Sequence, residues 1–126
     1  VKYIQGLINQ LEPREGDSWS YSKKYHYQEQ KNSLGQRYLI RNAFFEPTIN
    51  PIFDWESDCL KRIDLAFKFR KPAVISSHRL NYMGYLNPKN RSENLIKLKS
   101  LLTKIKKHWP EVIFLSSNQL GNLMNK

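Results

Sequence analysis

The chain has 126 residues, of which 40% are hydrophobic and 13% aromatic, so a folded domain is expected and disorder is not. No apolar run approaches the roughly 20 residues of a membrane-spanning helix, and the single cysteine, Cys59, excludes an internal disulfide. The net charge of +10 suits an anionic partner or a solvated, lysine-rich helix face, and the compartment stays open.

The first forty residues predict a short helix, a loop and a β-hairpin. Apolar residues with helical spacing predict a helix over residues 4–11, which Pro13 would end. Residues 12–20 are rich in loop formers. Alternating tyrosines favour a hairpin over residues 21–40, with Gly35 in its turn.

A helix and a strand are predicted next. Asp54 is a suitable N-cap for a helix from Trp55 to about Phe69, and Pro72 closes this segment. Residues 73–77, mostly apolar and partly β-branched, are typical of a buried parallel strand. His78 would then lie at the carboxyl end of that strand.

The clearest periodicity predicts a second helix. Asn90 as N-cap, with Glu93 three residues later, resembles a capping box. The apolar positions follow a three-four spacing: Leu95, Leu98, Leu102, Ile105 and Trp109. Residues 112–115 predict a further strand, and Ser117 would cap a last helix.

Strands that alternate with helices indicate an α/β fold with a parallel sheet. We expect residues 1–126 to form one α/β domain. Its sheet would be either part of a (β/α)-barrel or a small open parallel sheet with flanking helices and an N-terminal hairpin. The strands end just before Arg41, His78 and Ser116, and in parallel architectures such strand ends share one rim.

His78 is the leading catalytic candidate, because an imidazole at a strand end can transfer protons near pH 7, although it could instead only bond loop backbone. Arg41 could bind a carboxylate or form a surface ion pair. Glu46 could act as an acid or base, and Tyr82 could stack on a sugar ring. Three isolated histidines without a His-x-x-x-His motif predict no metal site within this chain.

Two segments resemble those of polysaccharide-deacetylase-like proteins. Residues 71–81, KPAVISSHRLN, are similar to the last histidine-bearing strand of that family. Residues 41–47, RNAFFEP, resemble the arginine-and-proline segment that precedes it. The likeness covers about residues 20–124. The early Asp-Asp motif and the His-x-x-x-His motif of the family have no match here, and Arg79 stands where an aspartate is usual.

The resemblance implies a bacterial, metal-dependent hydrolase that cleaves the amide carbon–nitrogen bond of N-acetylated sugars on a distorted (β/α) barrel. This chain would be either its C-terminal part, inactive alone, with a zinc-like divalent metal bound by the upstream part, or a non-catalytic relative of the family. His78 would be the general acid, and Arg41 would orient the catalytic carboxylate. The residues expected to contact the sugar substrate are Arg79, Asn81, Glu46 and Tyr82.

Two other interpretations stay open. The chain could be a basic, non-catalytic module that binds an anionic polymer, such as nucleic acid or an acidic glycan, through Arg91, Lys97, Lys104 and Lys107. Nucleic acid is the less favoured partner, because no nucleic-acid-binding motif is present. Alternatively, exposed sheet edges could make the chain a homo-oligomer without activity of its own.

Overall fold

The computed structural model describes residues 2–125, without the side chains of residues 17–19. The elements, in chain order, are β1 (Tyr3–Gly6), β2 (Asn9–Arg14), β3 (Asp17–Tyr25), β4 (Arg37–Ile40), β5 (Ala43–Phe44), α1 (Trp55–Lys68), β6 (Ile75–Ser76), a 3₁₀ turn (Arg79–Tyr82), α2 (Pro88–His108) and α3 (Ser117–Met124). The fold is mixed α/β. Its strands form two-stranded sheets, and the described residues contain no closed barrel.

The described chain divides into two compact units. The first contains residues up to 41 and those from 115 onward, and the second contains residues 42–114. Among the helices of the described residues, none is both long and apolar enough to cross a membrane.

In the first unit the predicted helix over residues 4–11 is wrong. This segment contains β1, which pairs in parallel with β4, and the start of β2, which pairs antiparallel with β3. Leu7, Ile8 and Leu11 are exposed, so their spacing does not mark a buried helix face. The segment follows strand partners that lie elsewhere in the chain, and such non-local pairing overrides local periodicity.

The predicted hairpin over residues 21–40 is also wrong in its pairing. The segment 12–20, expected as a loop, instead contains the end of β2, a turn at residues 15 and 16, and the start of β3, with a register shift between Pro13 and Arg14. The tight turn before β4 is confirmed. Gly35 has φ +73°, and the side-chain oxygen of Asn32 accepts hydrogen bonds from the backbone N–H groups of Leu34 and Gln36.

In the second unit the predictions for α1 and β6 are confirmed. Asp54 caps α1 by accepting a hydrogen bond from the Ser57 backbone N–H at 3.0 Å. This bond also holds the pKa of the Asp54 carboxyl below its usual value. The predicted strand over residues 73–77 is present as the shorter β6, parallel to β5. Together β5, α1 and β6 form a βαβ unit.

The core of the second unit lies between α1, α2 and β5. Its fully buried members are Ala43, Phe45, Cys59, Ile63, Leu101 and Ile105. The predicted apolar face of α2 is only partly correct, because Leu95 and Leu102 are exposed, whereas Leu101 and the polar Asn94 are buried. The helix also begins earlier than predicted, at Pro88 with Asn87 as N-cap, so Asn90 is not its cap.

Residues 112–115, all within the described part of the chain, do not form the predicted strand, and Ile113 and Phe114 are exposed. An apolar run becomes a strand only where a partner supplies hydrogen bonds. The last helix, α3, is present. Its N-cap is Ser116 rather than Ser117, and Ser116 forms a capping box with Gln119.

Candidate active site

The parallel pair β5–β6 brings two chemically active side chains together. Phe44 lies opposite Ser76, and the backbone N–H of Phe45 donates to the Ser76 carbonyl at 2.9 Å. Two residues beyond this register, Glu46 and His78 follow the carboxyl ends of the two strands. The parallel pairing therefore brings the two side chains that follow these strand ends into contact.

Glu46 is a buried carboxylate, 5% exposed, that accepts three hydrogen bonds. Its Oε1 lies 2.7 Å from Nδ1 of His78. Its Oε2 accepts from the side-chain amide of Asn81 at 2.7 Å and from the backbone N–H of His78 at 3.2 Å. A buried carboxylate is tolerated only when its oxygens are bonded, and these three donors satisfy both oxygens of Glu46.

The imidazole of His78 is bonded on one side and open on the other. Its side chain is 64% exposed, although Nδ1 is bound to Glu46. Because a carboxylate oxygen accepts, Nδ1 donates this hydrogen bond and carries its proton, and Nε2 is the ring nitrogen outside the bond. A histidine oriented by a carboxylate can give or take a proton at Nε2, which is the arrangement of a general acid or base.

Asn81, which bonds Glu46, belongs to a connected hydrogen-bond network with Thr48, Asn94 and Asn90. Asn81 is 1% exposed, and its Oδ1 accepts from the Thr48 backbone N–H at 3.0 Å. Asn94 donates to the Asn81 carbonyl at 2.8 Å and to the Thr48 hydroxyl at 3.0 Å. The Thr48 hydroxyl donates to Asn90 at 2.8 Å, and Asn90 in turn donates to the Met83 carbonyl at 2.9 Å. The start of α2 therefore holds the segments that carry Glu46 and Asn81.

Tyr82 borders the site and is bonded through Ser77. The Tyr82 hydroxyl lies 2.7 Å from the Ser77 hydroxyl, which lies 3.3 Å from the side-chain amide of Asn81. Burial raises the pKa of the Tyr82 phenol, so the phenol stays protonated at neutral pH.

The other predicted residues lie in different places. Arg41 is in the first unit, at the end of β4, where its backbone N–H donates to the Gly6 carbonyl at 2.9 Å. Arg79 is exposed in the 3₁₀ turn beside His78. Ser116 caps α3. The predicted common rim of three strand ends is wrong for Ser116, because no strand precedes it.

Direct substrate contacts by Glu46 and Asn81 stay predictions, but both side chains are buried and bonded to each other. A sugar could reach the Asn81 amide only if these bonds broke. Thr48, Ser77 and Asn94 also belong to this network, although none of them was predicted as a site residue. One signal was available for Asn94, which occupies the buried face of α2 at the spacing of Leu98 and Leu101.

The described residues contain no group of three or more His, Cys, Asp and Glu side chains that could hold a metal ion. His26 is stacked on Tyr38, and its ring nitrogens lie 3.3 Å from Gln30 and 3.2 Å from Gln10. The divalent metal that the resemblance implies stays a prediction.

The basic residues singled out on α2 do not all lie on one side of the helix. Arg91, Lys97 and Lys107 are exposed, and Lys104 forms an ion pair with Glu56. Helical geometry places Arg91 on a different side of α2 from Lys97. Binding of an anionic polymer stays a prediction.

No family model, curated protein or solved structure matches the chain.

Proposed function

We propose that this chain is the C-terminal portion of a carbohydrate deacetylase-like hydrolase with a (β/α)-barrel-like architecture, and that His78 is its general acid. The observation that carries the proposal is the 2.7 Å contact between the buried carboxylate of Glu46 and Nδ1 of an exposed imidazole. The βαβ unit formed by β5, α1 and β6 supports the architecture.

The chemistry of amide cleavage explains the value of this pair. Water adds to the acetyl carbon, and the carbon–nitrogen bond then breaks with its electron pair on the sugar nitrogen. An amine leaves poorly as an anion, so the nitrogen must receive a proton as the bond breaks. In this proposal protonated His78 supplies that proton from Nε2, and solvent restores it afterwards.

Glu46 has two effects on this step. Its Oε1 fixes the plane and the tautomer of the imidazole, so Nε2 points away from the carboxylate. Its negative charge also stabilises the imidazolium before the proton is transferred. The divalent metal of the resembled family would have to be held by other residues, and no step described here passes through it.

The test uses the full-length gene product, supplied with a divalent metal, and measures acetate release from an N-acetylated chito-oligosaccharide. The His78→Ala variant is expected to lower kcat about 10²- to 10⁴-fold. His108→Ala is the matched control, because His108 lies at the exposed end of α2 and bonds only its own helix, through the Lys104 carbonyl.

A second substrate separates acid catalysis from a general loss of structure. In an acetylated aromatic amine that carries electron-withdrawing groups, the amine can leave without full protonation. His78→Ala should therefore impair cleavage of this substrate much less than cleavage of the sugar. Equal sugar rates for the unsubstituted protein and His78→Ala would remove His78 from the mechanism.

A further inference from the structure

We infer that Asn81 is a positioning residue that holds Glu46 in the orientation in which it fixes the tautomer of His78. The inference rests on the proposed function and adds a residue to it. Asn81 is 1% exposed, and its Nδ2 lies 2.7 Å from Oε2 of Glu46. It is therefore placed to act through the carboxylate.

The orientation of the Asn81 amide is determined by its surroundings. The backbone N–H of Thr48 can only donate, and it lies 3.0 Å from one end of the amide, which must therefore be the oxygen. The other end, the NH₂ group, then faces Glu46 and the carbonyl of His78, 3.0 Å away. Only a residue with an acceptor at one end and a donor at the other satisfies both sides.

This anchoring decides which nitrogen of His78 carries the proton. With Oε2 held by Asn81, the carboxylate presents Oε1 to Nδ1 at 2.7 Å. The neutral ring must then be the Nδ1–H tautomer, which leaves a lone pair on the exposed Nε2. Without the Asn81 amide, the Glu46 carboxylate could rotate, and Nδ1 of His78 would no longer be held as the protonated nitrogen.

Asn94 is a matched control within the same network. It is also buried, and its amide donates to the Asn81 carbonyl at 2.8 Å and to the Thr48 hydroxyl at 3.0 Å. Among the described residues, the Asn94 side chain bonds Asn81, Thr48 and Asn90 but not Glu46. Replacing Asn94 should therefore reduce stability alone. Replacing Asn81 should reduce stability and also allow the neutral His78 imidazole to populate both tautomers.

The test measures the imidazole ¹⁵N shifts of His78 by NMR in the full-length protein, with signals assigned by a His78→Gln variant. At a pH where the imidazole is neutral, the unsubstituted protein should show a protonated-type Nδ1 and an unprotonated-type Nε2. In Asn81→Leu, both shifts should move to the averaged values of a free imidazole, whereas in Asn94→Leu they should stay. Equal behaviour of the two variants would reduce Asn81 to a structural role.

A measurement on the unsubstituted protein guards against misfolding of the Asn81→Leu variant. A through-hydrogen-bond scalar coupling is expected between Nδ2 of Asn81 and the carboxyl carbon of Glu46. Its absence, under conditions where backbone couplings in α2 are detected, would overturn the inference.

Kinetics separate this inference from the proposed function. Asn81→Leu is expected to lower kcat for the sugar about tenfold or more with KM unchanged. If His78→Ala is inactive but the tautomer does not respond to Asn81, the inference fails and the proposed function stands. If the tautomer responds as expected but His78→Ala is fully active, the proposed function fails and the positioning role of Asn81 in the fold stands.

Discussion

The side-chain oxygen of Asn42 accepts a hydrogen bond from the backbone N–H of Val74 at 2.7 Å. The side-chain amide of Asn42 also donates to the Pro72 carbonyl at 2.9 Å, and its backbone N–H donates to the Val74 carbonyl at 3.1 Å. This one residue therefore holds the start of β5 against the segment that leads into β6. Because the two strands have only two residues each, this contact stabilises the register that places Glu46 near His78.

Replacing Asn42 should weaken both the fold and the site. In Asn42→Ala, the N–H of Val74 loses its acceptor, and an unsatisfied group of this kind costs about 1–3 kcal/mol. Urea unfolding should show this loss of stability, and the Nδ1–H tautomer of His78 should become less populated. Asn118→Ala, at an exposed position of α3, is the control and should change stability by less than about 0.5 kcal/mol. Similar stabilities for the two variants would contradict this role of Asn42.

Replacing Glu46 by glutamine keeps its shape but removes its charge. The amide has one acceptor oxygen where the carboxylate has two, so one or more donors from Asn81 and His78 lose their partner. We expect Glu46→Gln to destabilise the protein by about 1–3 kcal/mol.

The same variant should slow cleavage of the sugar amide, because the imidazolium loses its counter-charge and its orientation. The exposed Glu93 provides the control variant Glu93→Gln. Urea unfolding and acetate release together test this prediction. Unchanged stability and rate in Glu46→Gln would show that the carboxylate is not needed.

Cys59 should be unreactive and should make stability depend on alkaline pH. Its side chain is 0% exposed, and burial raises the pKa of the thiol to about 12. A Cys59-specific thiol reagent should therefore react with the native protein far more slowly than with the urea-unfolded chain.

The sign of the pH effect follows from linkage. The pKa of the Cys59 thiol in the folded protein lies above its unfolded value of about 9. The contribution of the buried thiol to stability is therefore complete below pH 9 and is lost as the pH rises towards 12. By pH 10 the loss is on the order of 1 kcal/mol. Between pH 8 and 10 the free energy of unfolding should depend less on pH in Cys59→Ala than in the unsubstituted protein. The other groups that titrate at alkaline pH are the same in both proteins. Identical slopes in both proteins would contradict the prediction.

Gly121 should resist substitution because α3 lies close to β1. A Cβ atom at this position would lie 2.5 Å from the ring of Tyr3, whose hydroxyl donates to Asn122 at 2.8 Å. Overpacking of this kind costs about 1–3 kcal/mol, which exceeds the roughly 1 kcal/mol that alanine gains in helix propensity. We therefore expect Gly121→Ala to be destabilising in urea unfolding.

The sign should reverse when the ring is removed. In a Tyr3→Leu background, Gly121→Ala should be neutral or stabilising by up to about 1 kcal/mol, because only helix propensity remains. The same destabilisation in both backgrounds would show that Tyr3 is not the obstacle.

Local signals in the sequence were sufficient for α1, for the turn at Gly35 and for the position of β6. Asp54 caps the helix that it was predicted to cap, and Gly35 has the positive φ that its turn requires. These features depend on residues within a few positions of one another. A cap or a turn is therefore readable without knowledge of the rest of the chain.

Only the tertiary structure decided the strand pairing and the composition of the site. The partner of β1 is β4, which lies more than thirty residues away in the chain. Pairing with β4 makes β1 a strand although its segment has helical spacing. The amide of Asn81 reaches Glu46 across 35 positions in the chain, so no local pattern could reveal the bond. Asn94 faces the core because Asn81 and Thr48 provide its partners there, and this polar contact shifts the buried face of α2 away from Leu95 and Leu102.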